Sequence, residues 1–115
     1  MLPPRWLARV RHDLVKRLVW PARDRRDAGG APAPGELVAQ LVDDEGRPAP
    51  ATAIWSALAT EAPPTTPQGV LDDFGRALAH AEAAARAGDV EGVLALETAF
   101  DALARGLEHG SQGGS

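Results

Sequence analysis

Two stripes of opposite character run along the first segment of the chain at helical spacing. When successive residues are turned by about 100°, the apolar and the basic positions fall on opposite sides of one helix. The apolar stripe consists of Leu7, Val10, Leu14 and Leu18, and the basic stripe consists of Arg5, Arg9, His12 and Lys16. Pro4 suits a first helical turn, and the residue before Pro21 is pushed out of helical geometry. The pattern therefore predicts a basic amphipathic helix over residues 4–19, with a stop or kink at Trp20.

Apolar residues at helical spacing predict four more helices, separated by Gly- and Pro-rich breaks. We expect these helices over residues 35–43, 50–61, 67–87 and 90–109. Gly88 and Asp89 are the only break between the last two, with Gly88 ending one helix and Asp89 capping the next. So short a connection implies neighbouring antiparallel helices. The fold class is thus all-α: a small helical domain of about five helices with a C-terminal antiparallel hairpin.

The same breaks divide the chain into four parts. Residues 1–27 form the basic N-terminal arm, 28–35 a Gly/Pro linker, 36–109 an acidic helical body and 110–115 a disordered tail. At 115 residues the chain is one domain with a modest core. We expect no internal repeat and no strand.

Charge is distributed unevenly between these parts. Residues 1–27 hold eight of the twelve Arg and Lys residues and have a net charge of +5, whereas residues 28–115 have a net charge of −9. Such an asymmetry is typical of an interaction arm, which binds either an external anion or the acidic body of its own chain.

Composition excludes several classes of chemistry and suggests a compartment. The absence of cysteine rules out disulfides, thiolate catalysis and Cys-type zinc sites. The N-terminus lacks the apolar region of a signal peptide, so we expect a cytoplasmic protein. We interpret eleven arginines against one lysine as codon bias of a GC-rich, bacterial genome.

No motif predicts an enzyme. Ser56 lies inside an apolar helix, and no serine has a His/Asp partner at triad spacing. Asp72 and Asp73 begin a helix, where carboxylates complement the helix dipole. The three histidines are isolated from one another, so we expect no metal and no cofactor.

Sequence-specific DNA recognition is also disfavoured. Residues 35–43 and 50–61 could form a helix-turn-helix, but the second helix has no basic residue, Asn or Gln to contact base edges. Nucleic acid would bind only residues 5–26, through electrostatic attraction.

The apolar stripe must be covered by something, and three hypotheses remain open. Burying its four side chains would contribute about 1.5–3 kcal/mol each, more than the roughly 1 kcal/mol per cation gained at an anionic lipid surface. The helix could pack on the protein's own acidic body, in a groove of a partner protein, or in the plane of a membrane surface.

Our functional prediction is a non-enzymatic accessory or adaptor subunit that binds another protein through the N-terminal helix. A peripheral binder of anionic lipid or nucleic acid, acting through the same segment, is the alternative. The expected partner contacts are Trp6, Arg9, Arg17, Trp20, Arg23, Arg25 and Arg26.

Overall fold

The computed structural model describes residues 5–29, 36–38, 41–43 and 45–112, with side chains up to Glu108. These residues are mostly helical, and they contain no strand beyond one isolated β-bridge. The helices are α1 (Arg5–Leu14), α2 (Trp20–Ala28), α3 (Ala51–Ala59), α4 (Gln68–Ala87), α5 (Val90–Leu94) and α6 (Leu96–Gln112). The all-α prediction is confirmed. In the described residues, no helix is both long and apolar enough to cross a bilayer.

Of the stop or kink predicted at Trp20, the stop does not occur, because the helix continues past this residue. A π-helical segment, Val15–Val19, joins α1 directly to α2, and the Trp20 N–H bonds to the carbonyl of Val15. A wide turn of this kind accommodates Pro21, because proline offers no N–H and its ring collides with the carbonyl four residues earlier. The helix ends instead at Gly29, whose positive φ of 76° allows its N–H to reach the carbonyls of Arg25 and Arg26.

The helix predicted over residues 35–43 is not confirmed. Glu36–Val38 form a single 3₁₀ turn, and Val42 pairs with Pro48 in the antiparallel bridge. Asp43 closes the loop between them, since its Oδ1 accepts from the N–H groups of Glu45 and Arg47 at 2.9 Å each. Leu37 and Leu41 are nevertheless buried, so the apolar pattern marked these core positions correctly, although residues 36–38 and 41–43 are not α-helical. Residues 30–35 of the predicted linker lie outside the described residues.

The C-terminal helix pair is confirmed. Gly88 ends α4 with a positive φ of 75°, and the Asp89 carboxylate accepts from the Gly92 N–H at 3.1 Å, as a helix cap does. The single helix predicted over residues 90–109 is divided at Ala95 into α5 and α6, and α6 continues to Gln112, beyond the predicted end. Residues 113–115 of the predicted tail lie outside the described residues.

Close contacts set the direction and spacing of this pair. Early α4 meets late α6, because a Cβ on Gly106 would lie 2.6 Å from Cγ1 of Val70. Late α4 meets α5, because a Cβ on Gly92 would lie 2.6 Å from Cβ of Ala84. The segment formed by α5 and α6 therefore runs antiparallel to α4, and glycine permits the close approach.

A row of four aromatic rings passes through the core and joins four helices. Ring centroids are 5.9 Å apart for Trp6 and Trp55, 4.6 Å for Trp55 and Phe74, and 5.4 Å for Phe74 and Phe100. Such tilted pairs contribute about 0.5–1.5 kcal/mol each beyond their burial. The row begins in α1, so the N-terminal helix is part of the core.

Glu82 is the one charged side chain buried in the described residues. Its Oε1 accepts from the Ala51 N–H at 2.7 Å, and its Oε2 accepts from Arg86 at 2.7 Å. Helix α3 begins after Pro50 without a side-chain cap of its own. A carboxylate from α4 therefore caps α3.

We predict that Glu82→Ala lowers the free energy of unfolding by about 1–3 kcal/mol, because the buried Ala51 N–H loses its acceptor. Glu82→Gln keeps an amide oxygen for that N–H and should lose less. Urea denaturation measures both variants, with exposed Glu91→Ala as the control. Equal losses for Glu82→Ala and Glu91→Ala would show that the cap does not form.

We also predict that the effect of Gly106→Ala changes sign with the residue at position 70. Beside Val70 the added methyl group is overpacked and should destabilise the fold. In a Val70→Ala background the clash is relieved, and the better helix propensity of alanine should stabilise it by up to about 1 kcal/mol. A double-mutant cycle in urea measures the coupling; additive effects would contradict the close approach of α4 and α6.

Candidate partner-binding surface

The apolar stripe of the N-terminal helix is buried against the body of the same chain. Leu7 is 5% exposed, and Val10, Leu14 and Leu18 are 0% exposed. Of the three hypotheses for what covers the stripe, the structure therefore shows the one in which the stripe packs on the protein's own body.

Trp6, an expected partner contact, is directed into this core. It is 8% exposed, and its indole Nε1 donates to the carbonyl of Leu58 at 2.7 Å. A buried tryptophan usually satisfies its N–H in this way. Trp6 thus connects α1 to the end of α3, and its ring is not available on the exposed side of the docked helix.

Two of the expected arginine contacts connect α1 and the π-helical segment to the body. Arg9 forms an ion pair with Glu61 at 2.9 Å. The Nε of Arg17 donates to the carbonyl of Val42 at 3.2 Å, and its Nη1 lies 3.8 Å from Asp13. Both side chains are therefore engaged within the chain.

The basic residues of α2 are paired in a similar way. Arg23 binds Glu97, at the start of α6, and Arg26 lies 3.7 Å from Asp27. Arg25 donates from Nε to Glu36 at 3.0 Å, and this hydrogen bond, followed by the carboxylate's charge, raises the pKa of Arg25 above its ordinary value. The body supplies glutamates from three separate places for arginines of the arm.

Trp20 is the one expected tryptophan contact that faces outward. It is 48% exposed, the only large hydrophobic residue so exposed in the described chain. The π-helical segment explains its position: its i→i−5 bond encloses one residue more than an α-helical bond, which shifts the phase of everything after it. By plain helical spacing Trp20 would flank the apolar stripe. The shift turns Trp20 outward and brings Val19 and Ala22 into the core, both at 0% exposure.

Four exposed side chains with basic character accompany Trp20 on the same helix. Arg5, Arg11 and Lys16 form no ion pair with any residue that the structure describes, and the ring of His12 meets Trp20 edge-on at 6.4 Å. We call this surface the cationic face; it consists of Arg5, His12, Lys16 and Trp20, whereas Arg11 lies about 100° or more away from these basic residues around the helix. Only Trp20 was among the expected contacts, although the basic stripe itself indicated Arg5, His12 and Lys16.

Other charged groups form local pairs. Asp72 accepts from Gln68 at 2.9 Å, and Asp73 pairs with Arg76, each within the first turns of α4. Across the described residues no group of three or more Asp, Glu or His side chains could hold a metal ion.

Comparisons with known protein families, with curated proteins and with solved structures found no match for this chain.

We predict that the two tryptophans of the N-terminal helix, Trp6 and Trp20, differ sharply in their contribution to stability. Trp6→Ala removes a buried ring and leaves the Leu58 carbonyl without its donor, so the free energy of unfolding should fall by about 3–5 kcal/mol. Trp20→Ala removes an exposed ring and should change it by less than about 1 kcal/mol. Urea unfolding of both variants tests the assignment; a greater loss for Trp20→Ala would reverse it.

Proposed function

We propose that this protein is a small, non-enzymatic accessory subunit that acts in the cytoplasm by binding an acidic surface of a partner protein. The partner contacts the cationic face of the N-terminal helix while that helix stays docked on its own body. The exposed position of Trp20 within a group of basic side chains is the observation that carries this proposal.

Trp20 has the properties of an interface anchor. Binding energy at protein interfaces concentrates in a few residues, and tryptophan and arginine are enriched among them. The other large apolar residues of the described chain are at least partly buried, but Trp20 is about half exposed. Packing within the chain therefore does not explain why a tryptophan occupies this position.

The unpaired cations supply the complementary electrostatics. Arg9, Arg17, Arg23 and Arg25 are partnered within the chain, so within the described part of the N-terminal arm the unpaired positive charge comes from Arg5, Arg11 and Lys16. Exposed charges of this kind steer association and set its salt dependence more than they set affinity.

Burial of the apolar stripe favours a protein partner over in-plane insertion into a membrane. An interfacial helix would have to place its apolar face in the lipid, which requires Leu7, Val10, Leu14 and Leu18 to leave the core. Losing that burial costs about 6–12 kcal/mol before any gain from the lipid. An anionic membrane surface or nucleic acid, attracted by the same cationic face without insertion, is the second candidate.

The test is capture of a partner from native lysate by the tagged full chain and by single variants. We predict that Lys16→Glu and Trp20→Ser each lose the partner that the unchanged chain retains. Arg105→Glu is the matched control, because Arg105 is an exposed cation on α6 with no ion pair to a described residue. It should retain the partner, since the same charge reversal is made away from the cationic face.

The alternatives give different results in the same series. Flotation with phosphatidylserine vesicles that depends on Lys16, or a salt-sensitive shift of nucleic acid, would replace the protein partner with the second candidate. Retention of the captured protein by Lys16→Glu and Trp20→Ser alike would refute the cationic face as the binding surface.

A further inference from the structure

A cleft of about 660 Å³ lies between α3 and α4, on residues other than those of the cationic face. Small-molecule sites measure roughly 300–1,000 Å³, so the cleft has the size of such a site. One wall comes from α3 and Thr60 after it, and the other comes from the first half of α4. Of the described residues that line the cleft, Trp55 alone is buried, at 6% exposure.

The indole N–H of Trp55 has no hydrogen-bond acceptor among the residues that the structure describes. Trp6, the other buried tryptophan, donates its N–H to the Leu58 carbonyl, as buried tryptophans usually do. The Trp55 N–H is not sealed from solvent either, because the only described side-chain polar atom that is both sealed and unpartnered is Oγ1 of Thr66. Trp55 therefore offers the cleft an unused donor.

Gly75 keeps this donor accessible. A Cβ at position 75 would lie 3.2 Å from Nε1 and 3.4 Å from Cδ1 of Trp55, so any other residue would crowd the N–H. Gly75 lines the cleft from within α4, where glycine is less favourable than alanine. The rest of the Trp55 ring packs against Trp6 and Phe74. The ring thus presents one polar edge to the cleft and no free face for stacking.

The walls of the cleft add hydrogen-bond acceptors. The hydroxyls of Ser56 and Thr60 already donate to backbone carbonyls of their own segment, at 2.9 and 2.7 Å, so they offer their lone pairs to a ligand. Gln68 donates to Oδ1 of Asp72 at 2.9 Å, which leaves the Gln68 carbonyl oxygen and the second Asp72 oxygen as acceptors. The cleft therefore combines one buried donor with several acceptors at its rim.

This arrangement narrows the class of ligand. The lining holds one carboxylate and one guanidinium, Asp72 and Arg76, so its charges favour a neutral molecule. An apolar ligand would leave the Trp55 N–H unpaired, and an aromatic ligand would find no ring face on which to stack. A hydroxyl group can accept from Trp55, while neighbouring hydroxyls on the same molecule donate to the acceptors of the walls. The geometry thus favours a ligand with several hydroxyl groups.

We propose that this cleft binds a small neutral polyol, a sugar or a sugar alcohol, and that one of its hydroxyl oxygens accepts from Nε1 of Trp55. The site is independent of the proposed function, because the cleft shares no residue with the cationic face. Occupation of the N–H by water alone is the alternative that the experiment must separate.

The probes are glucose, maltose and myo-inositol, each titrated into the ¹⁵N-labelled full chain. Each tryptophan gives one indole N–H resonance in the ¹H–¹⁵N spectrum, which nuclear Overhauser contacts assign. We predict a saturable shift of the Trp55 resonance with at least one of the three probes. Trp6, which is already hydrogen-bonded, and Trp20, which is exposed, are internal controls and should not shift in this way.

Gly75→Ala tests whether binding uses this N–H, because the added methyl group lies against Nε1. It should weaken the affinity for the bound probe by about threefold to tenfold, as expected for an impaired hydrogen bond. Gly69→Ala is the matched control. It makes the same change in the same helix, where an added Cβ has nothing within 4 Å, and it should bind like the unchanged chain.

Asp72→Ala is a second variant, which does not depend on how the helix tolerates a side chain at position 75. It removes an acceptor from the rim and should also weaken binding, whereas Asp101→Ala removes an exposed carboxylate of α6 outside the cleft and should not. Urea unfolding confirms that the variants remain folded.

Three results would overturn the proposal. No saturable shift of the Trp55 resonance with any of the three probes would mean that only water meets the N–H. Parallel, unsaturated shifts of all three indole resonances would show a general solvent effect. Equal affinities of Asp72→Ala and Asp101→Ala, together with equal affinities of Gly75→Ala and Gly69→Ala, would place any binding outside this cleft.

Discussion

Burial of the N-terminal apolar stripe is the interaction on which the rest of this molecule depends. Leu7, Val10, Leu14 and Leu18 together contribute about 6–12 kcal/mol, a sum comparable with the whole stability of a typical domain, about 5–15 kcal/mol. The arginine pairs around them are mostly exposed and contribute about 0–1 kcal/mol each. Apolar burial therefore provides most of the free energy that docks the helix, and the ion pairs help to determine its orientation on the body.

This docking divides the basic residues of the arm into two groups. Arg9, Arg17, Arg23 and Arg25 form ion pairs or hydrogen bonds with the body. Part of the positive charge of the arm is therefore compensated within the chain itself. Arg5, Arg11 and Lys16 point outward and remain available. The proposed binding surface thus consists of residues that remain exposed when the helix is docked, and it includes Trp20, the largest exposed apolar side chain of the described residues.

The sequence predicted the features that depend on a long, regular pattern. The apolar stripe over twelve residues and the Gly88–Asp89 connection were sufficient to indicate a buried helix face and a C-terminal helix pair. The segment over 35–43 was misjudged because Leu37, Val38, Leu41 and Val42 are too few to distinguish a helix from a buried irregular segment. Helical propensity was overridden there by loop geometry around Asp43.

The candidate site was only partly predictable for a related reason. On an ideal helix Trp6 and Trp20 lie on the same flank of the apolar stripe, with Trp20 about 40° farther from it, and the π-helical segment turns Trp20 away from the core. Its presence depends on how the chain accommodates Pro21, which periodicity does not describe. The ion-pair partners of individual arginines could likewise not be predicted from the sequence, because the glutamates concerned lie far from them along the chain.

Hydrogen exchange of the isolated full chain tests the docked helix most directly. Amides over residues 8–28 should be protected to nearly the same degree as those of α4, because the N-terminal helix shares one core with the body and opens with it. Rapid exchange over residues 8–28 alongside strong protection of α4 would show that the helix is undocked in the free protein, and would contradict the account.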